Sequence, residues 1–237
     1  MNLLCIIPAR GGSKGLPGKN IKIFNGQPLI AHSIIEAKKS KYIDKVVVST
    51  DDYEIAGISR KYGAEIPFMR PSELARDSSR IIDTYCYTIN RLKNEFKFST
   101  DILIVLQPTS PLRRVNHIDE AIELFLEKSA DSVVSLAEVA HPPYWYKNMD
   151  TTNKVSDFIT MNDTTALRQE LPKVYCPNGA IFIFKADIIV QEKQLYTERS
   201  FGYLMSAEES VDIDSLLDFK IAEMVIKDRN KGEKNEV

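Results

Sequence analysis

Apolar residues recur along this chain in two rhythms. Short, nearly unbroken apolar runs at Leu3–Ile7, Lys45–Thr50, Asp101–Leu106 and Ser132–Leu136 read as strands buried on both faces. Between them, apolar positions return every three or four residues, the spacing of one helix face. Leu29, Ile30, Ser33, Ile34 and Ala37 form one such set. Ile81, Ile82, Tyr85, Ile89, Leu92 and Phe96 form a longer one, and Val115, Ile118, Ile122 and Phe125 a third. A further helix over roughly Tyr53–Tyr62 is stopped by Gly63, a residue suited to the position after a helix. The alternation predicts an α/β fold with a mostly parallel sheet covered by helices.

The rhythm breaks between His141 and Pro177, a stretch rich in Pro, Tyr, Asn, Asp and Thr with weak strand character around Val155–Thr160. Long irregular segments inside compact domains usually carry function or an oligomer contact, so 141–177 is read as an insertion of that kind. The core pattern resumes at Ala180–Phe184 and Gly202–Ser206, and a last helix is expected from about Ser215 to Lys227. Residues 1–227 thus form one domain, and the charged segment 228–237 is expected to be a flexible tail.

Composition narrows the partners. With 237 residues, 43% hydrophobic, and a net charge of −2, the chain has no global field for nucleic acid or an anionic membrane. No apolar run approaches a membrane span, and the first residues lack the basic segment of a signal peptide. The three cysteines, Cys5, Cys86 and Cys176, are scattered without CxxC spacing, which suits a reducing compartment and a cytoplasmic protein. Any anion site must therefore be built locally.

The segment Arg10-Gly11-Gly12-Ser13-Lys14-Gly15-Leu16-Pro17-Gly18-Lys19-Asn20 supplies one. Its glycines let backbone amides approach a ligand, and Arg10, Lys14 and Lys19 add positive charge at the end of the first strand, as a polyphosphate requires. It is not a Walker loop: Ser13 stands where the first glycine would, and Asn20 replaces the Ser or Thr after the lysine. In Val211-Asp212-Ile213-Asp214, alternation puts both carboxylates on one face and Ile213 toward the core. Such paired oxygens suit Mg²⁺ beside a triphosphate, or else a solvated strand edge. Gln107, in Leu106-Gln107-Pro108-Thr109-Ser110-Pro111-Leu112-Arg113, offers donor and acceptors to a sugar or base. Asp77 or Ser78, in Arg70–Ser79, could simply cap the long helix that follows. Arg168 could hold a substrate carboxylate or be an ordinary surface arginine.

Seven segments together resemble the N-acylneuraminate cytidylyltransferases, the CMP-sialic acid synthetases. They are IPARGGSKGLPGKN (7–20), VVVSTDD (46–52), RPSELARDSS (70–79), LQPTSPLR (106–113), RQELP (168–172), PNGAIFIF (177–184) and VDIDSLLD (211–218), in that family's order. The resemblance implies a Rossmann-like nucleotidyltransferase fold with an inserted dimerisation segment. It implies that CTP and a nine-carbon 2-keto sugar acid (a nonulosonic acid) give the CMP-sugar and pyrophosphate, the sugar's anomeric hydroxyl attacking the α-phosphorus.

By position, Arg10 and Lys19 would hold the triphosphate, assisted by Gly11, Gly12, Ser13 and Lys14, with Asn20 approaching the nucleotide. Arg70, Asp77 and Ser79 match the segment that recognises cytosine and ribose. Gln107 and Ser110 would contact the sugar, Arg168 its carboxylate and Tyr175 its acyl pocket. Asp212 and Asp214 would hold Mg²⁺; Arg10, Lys19 and Asp212 are the groups assigned to catalysis, and no general base is named. The resemblance also implies a homodimer, with 141–177 reaching into the neighbour and Trp145 as an anchor. Alternatives are the same chemistry on legionaminic, pseudaminic or Kdo acid, and an inactive nucleotide-binding regulator.

Overall fold

The computed structural model describes residues 1–13, 15–159 and 167–235, without the side chains of Arg168 and residues 232–235. In chain order the elements are β1 (Leu3–Pro8), β2 (Ile23–Phe24), β3 (Gln27–Pro28), α1 (Leu29–Lys39), β4 (Lys45–Ser49), α2 (Tyr53–Lys61), α3 (Ile81–Phe96) and β5 (Ile102–Val105). Then come α4 (Val115–Glu127), β6 (Ser132–Glu138), β7 (Lys147–Met149), β8 (Val155–Asp157), β9 (Tyr175–Lys185), β10 (Ser200–Leu204) and α5 (Leu216–Asn235).

Six strands make the main sheet in the order β10-β6-β9-β5-β1-β4. β1 runs parallel to β4 and β5, and β10 parallel to β6. β9 lies antiparallel between β5 and β6. Alternation along the central strands explains the layering. Cys5, Ile7, Ile104 and Ile183 face α1 and α4 through Ile30, Ile34, Ile118, Ile122 and Phe125. Leu4, Ile6, Leu103 and Val105 face α3 through Ile82, Tyr85, Ile89 and Leu92. Both faces are thus sealed by helices, as the unbroken apolar runs require. Cys5 is fully buried among these residues, and burial pushes its thiol up to about 12.

A smaller core lies beside the sheet, where α5 packs through Phe219, Ala222 and Ile226 on Phe24, Leu29, Leu112 and Ile213. The last helix does not stop near Lys227 but continues to Asn235. Arg229 holds it there, donating to the Leu112 carbonyl at 3.3 Å and lying 3.6 Å from Glu209. Among the described residues no helix is long and apolar enough to cross a membrane.

The insertion is shorter than its irregular composition suggests, because β9 already begins at Tyr175. Inside it β7 and β8 form an antiparallel hairpin, while Thr160 lies outside the described residues. Trp145, Tyr146, Met149 and Phe158 are exposed on this segment.

One irregularity of the sheet sits close to the functional edge. The β6–β9 register shifts between Val134 and Leu136, where Ser135 replaces the missing ladder bonds with its hydroxyl. Ser135 Oγ accepts from the Ile181 amide at 2.7 Å and donates to Asn178 Oδ1 at 2.5 Å. Ser135→Ala would leave the Ile181 N–H buried without a partner. Urea unfolding should show a loss of about 1–3 kcal/mol. Ser132→Ala, which removes only a part-buried bond to Ser200, should cost less.

Candidate nucleotide and sugar-acid site

The parallel strands β1, β4 and β5 all end at one edge of the sheet, so the segments after Pro8, Ser49 and Val105 emerge together. Antiparallel β9 enters at the same edge, which brings Asn178 and Gly179 beside Gln107. The chain leaving β10 crosses it too, carrying Asp212 and Asp214. A cleft of about 430 Å³ lies there. Its wall takes Arg10, Ser13, Gly15, Lys19 and Asn20 from the glycine-rich loop, and Arg70, Gln107, Thr109 and Asp214 from elsewhere.

The loop is folded on itself and tied at both ends. Asn20 is buried and donates its amide to the Arg10 carbonyl at 3.0 Å, closing the loop onto its own start. The Gly11 amide donates to Asp51 Oδ1 at 3.1 Å, and a Cβ on Gly11 would lie 2.7 Å from Asp52 Oδ2. Gly12 is exposed with open space around it. Arg10 Nη1 lies 2.7 Å from Asp77 Oδ1. At the far end Lys19 donates to the Ile213 carbonyl at 2.7 Å and to Asp214 Oδ1 at 2.9 Å. A Cβ on Gly15 would come within 2.4 Å of the Asp214 carbonyl, so only glycine allows this approach. Lys14 lies outside the described residues.

Ile213 explains why the acidic segment is where it is. Its side chain is fully buried in the small core, and its amide donates to the Thr109 carbonyl at 2.8 Å. Asp214 is left exposed against Lys19, while Asp212 Oδ1 is buried without a hydrogen-bond partner. Burial raises the Asp212 pKa, a Thr109 hydrogen bond opposes this, and Asp214 adds to it while Lys19 lowers it. Asp212 thus senses both Asp214 and Lys19. Among the described residues no group of three or more His, Cys, Asp and Glu side chains could hold a metal.

Other expected residues divide. Arg70 is buried, donating Nη2 to the Ser49 carbonyl at 2.9 Å while Nε has no partner. Burial lowers its pKa, Asp51 opposes this, and Arg10 adds to it. Asp77 and Ser78 do not cap α3: the helix begins after Arg80, and Asp77 faces Arg10 instead. Ser79 bonds the Glu73 carbonyl at 2.6 Å and closes its own turn. Ser110 is fully buried, its hydroxyl 3.5 Å from the Asn178 carbonyl, beneath the cleft rather than in its wall. Tyr175 is exposed at the start of β9 opposite Glu138, outside the cleft lining. The side chain of Arg168 lies outside the described residues.

Three residues carry more of this geometry than the sequence pattern assigned to them. Thr109 reaches both Asp212 and the Gln107 side chain. Asp51 orients Gly11, and its position directly after β4 was the available signal. Arg113 lies fully buried below Gln107, and nothing in its local sequence distinguishes it from a surface arginine.

Comparison with known proteins agrees with this geometry. A family model described as "Cytidylyltransferase" matches residues 4–235. The CMP-N,N'-diacetyllegionaminic acid synthase of Legionella pneumophila is 36% identical over 95% of this chain and 97% of its own length. An N-acylneuraminate cytidylyltransferase of Streptococcus agalactiae is 37% identical over 92% of this chain, which spans 52% of that relative. Among solved structures, a CMP:2-keto-3-deoxy-manno-octonic acid synthetase complexed with CTP superposes with a TM-score of 0.70 at 17% identity. That match covers 97% of this chain and the whole of the other, and it supports the Rossmann-like fold.

The contact between Gly15 and Asp214 gives a direct test of the loop. Gly15→Ala should push the loop off Asp214 and weaken CTP binding about tenfold or more in calorimetric titration. Gly57→Ala, on α2 away from the cleft and with nothing within 4 Å of the added carbon, should bind CTP nearly as the parent does.

Proposed function

Because the chain belongs to the cytidylyltransferase family, we propose that it activates a nine-carbon 2-keto sugar acid of the sialic acid type. CTP and the acid give the CMP-sugar and pyrophosphate. The anomeric hydroxyl oxygen bonds to the α-phosphorus as the bond to the bridging oxygen of the β-phosphate breaks; pyrophosphate leaves with that bond's electron pair, and the hydroxyl proton passes to solvent. The observation that carries this reading is the meeting in one cleft of three cations, Arg10, Lys19 and Arg70, with Asp214 and Gln107. Legionaminic acid, the substrate class named for the Legionella relative, is the nearest alternative acid.

In this reading Arg10 and Lys19 receive the triphosphate, with the amide of Gly12, while those of Gly11 and Ser13 brace the turn through Asp51 and the Gly11 carbonyl. Their present partners, Asp77 and Asp214, hold both cations extended toward the cleft, so little reorganisation is needed when phosphates arrive. Charge builds on the departing β- and γ-phosphates, and fixed cations in a partly enclosed site stabilise it. Arg70 would lie against the nucleoside and Gln107 against the sugar. Asp212 and Asp214 fit Mg²⁺: both are oxygen donors, and the buried, unpartnered Asp212 Oδ1 is an acceptor in want of a partner. With only two protein carboxylates, phosphate oxygens and water would complete the cation's shell. When bound, the metal would neutralise phosphate charge.

The exposed Trp145, Tyr146, Met149 and Phe158 support a homodimer in which the 141–177 segment meets its neighbour. Free, scattered cysteines support a cytoplasmic location.

Pyrophosphate release from CTP and Mg²⁺ with each candidate acid tests the proposal, and no release with any of them would overturn it. Lys19→Ala should lower kcat/KM on the order of 10²–10³-fold in that assay, as losses of charge-stabilising groups do. Replacing both Asp212 and Asp214 by Ala should abolish the Mg²⁺ dependence of CTP binding.

A further inference from the structure

Arg113 is the largest of the fully buried side chains, at 2% exposure, and none of its hydrogen-bond partners is a carboxylate. Nη1 donates to the Ala180 carbonyl at 2.7 Å and the Gln107 carbonyl at 3.3 Å. Nη2 donates to Ser33 Oγ at 2.6 Å, and that hydroxyl in turn donates to the same Gln107 carbonyl at 3.2 Å. Nε has no partner at all. Burial lowers the guanidinium to about 10, with Cys5 and Glu36 opposing, so it remains charged at neutral pH.

A buried cation with no carboxylate bonded to it is costly, and a core that needed only packing would be better filled by apolar side chains. What this cation grips explains its presence. Gln107 stands two residues beyond the end of β5, at the cleft, and Ala180 follows Gly179 on β9. Gly179 has φ +75°, and a Cβ there would lie 3.0 Å from Gln107 Oε1 and 3.6 Å from Asp212 Oδ2. The Gln107 amide, Gly179 and Asp212 thus form one corner of the cleft. From below, Arg113 ties together the two backbone segments that make it, with α1 joined through Ser33.

We propose that Arg113 is a positioning residue for the sugar-acid subsite, fixing the Gln107 and Ala180 carbonyls so that the Gln107 side chain meets the acid in one orientation. The proposal rests on the reading of Gln107 as a sugar contact. Its planar fork is what the task needs, because several acceptors in different directions must be held at once.

Arg113→Lys keeps a charge but not the fork. The KM for the sugar acid should rise about tenfold or more, the effect of one lost interaction of ordinary strength, while the KM for CTP stays within about twofold. Ser33→Ala, which removes only the hydroxyl bridge, should move the same parameter in the same direction by less, and it serves if the lysine variant does not fold. Equal rises in both KM values, or no change in either, would overturn the proposal. A second readout needs no substrate. The Ser110 amide donates to the Gln107 carbonyl at 3.4 Å, so its hydrogen exchange reports how firmly that carbonyl is held. Exchange at Ser110 should quicken in the variant while amides at the centre of β5 do not change; unchanged exchange would count against the proposal. If the parent protein used no sugar acid, the functional reading would fall, and faster exchange at Ser110 would still show that Arg113 fixes Gln107.

Discussion

A strand buried on both faces can offer a ligand only its ends. β1 and β5, at the centre of the sheet, carry no hydrogen-bonding or charged side chain, and helices cover them on either side. All chemistry is therefore forced to the edge where the parallel strands finish. The consequences follow in order. The glycine-rich loop must leave β1 there, Gln107 must leave β5 there, and β9 must run antiparallel to deliver Gly179 to the same edge. The acidic segment has no strand to hold it, so it is anchored by the burial of Ile213 instead.

That edge is an unusual electrostatic environment for a chain with almost no net charge. Arg10, Lys19, Arg70 and Arg113 approach it from three segments. Two of them already touch carboxylates, and two are buried against carbonyls. The pairs with Asp77 and Asp214 contribute little to stability, because water reaches and screens the carboxylates. Their value lies in geometry: each holds a cation where an incoming anion would meet it. The buried pair work differently, since carbonyl dipoles solvate the charge without cancelling it, and its field persists in the cleft.

Much of this was legible in the sequence, and the parts that were not share a cause. The apolar runs and helical spacings identified β1, β4, β5, β6 and the five helices, because burial on two faces or one face imposes a period on residue type. The loop and the Asp212–Asp214 pair stood out in the sequence by their density of glycine, lysine and aspartate, and the fold brings Lys19 of the one against Asp214 of the other. The start of β9 at Tyr175 was hidden, since Pro177, Asn178 and Gly179 interrupt the apolar pattern whereas pairing with β6 carries the strand through this stretch. The extension of α5 past Lys227 was hidden because Arg229 secures it by contacts with Leu112 and Glu209, distant in the chain. The buried places of Ser110 and Arg113 were hidden for the same reason. Polarity suggests exposure, and only the assembled fold reveals carbonyls in the interior that need donors.

The antiparallel β9, wedged between β5 and β6, also governs when the protein can come into being. The corner at Gly179 needs strands that are far apart in sequence, and the acidic segment joins it only after Ile213 has docked with α5. Contacts of such long sequence separation form late, after the local helices and the β1–β4 pair. A chain emerging from the ribosome would already hold its glycine-rich loop but not the rest of the cleft. The cleft is thus complete only when the chain has been made at least through α5, and a shorter product would carry the glycine-rich loop without the corner at Gly179 and Asp212.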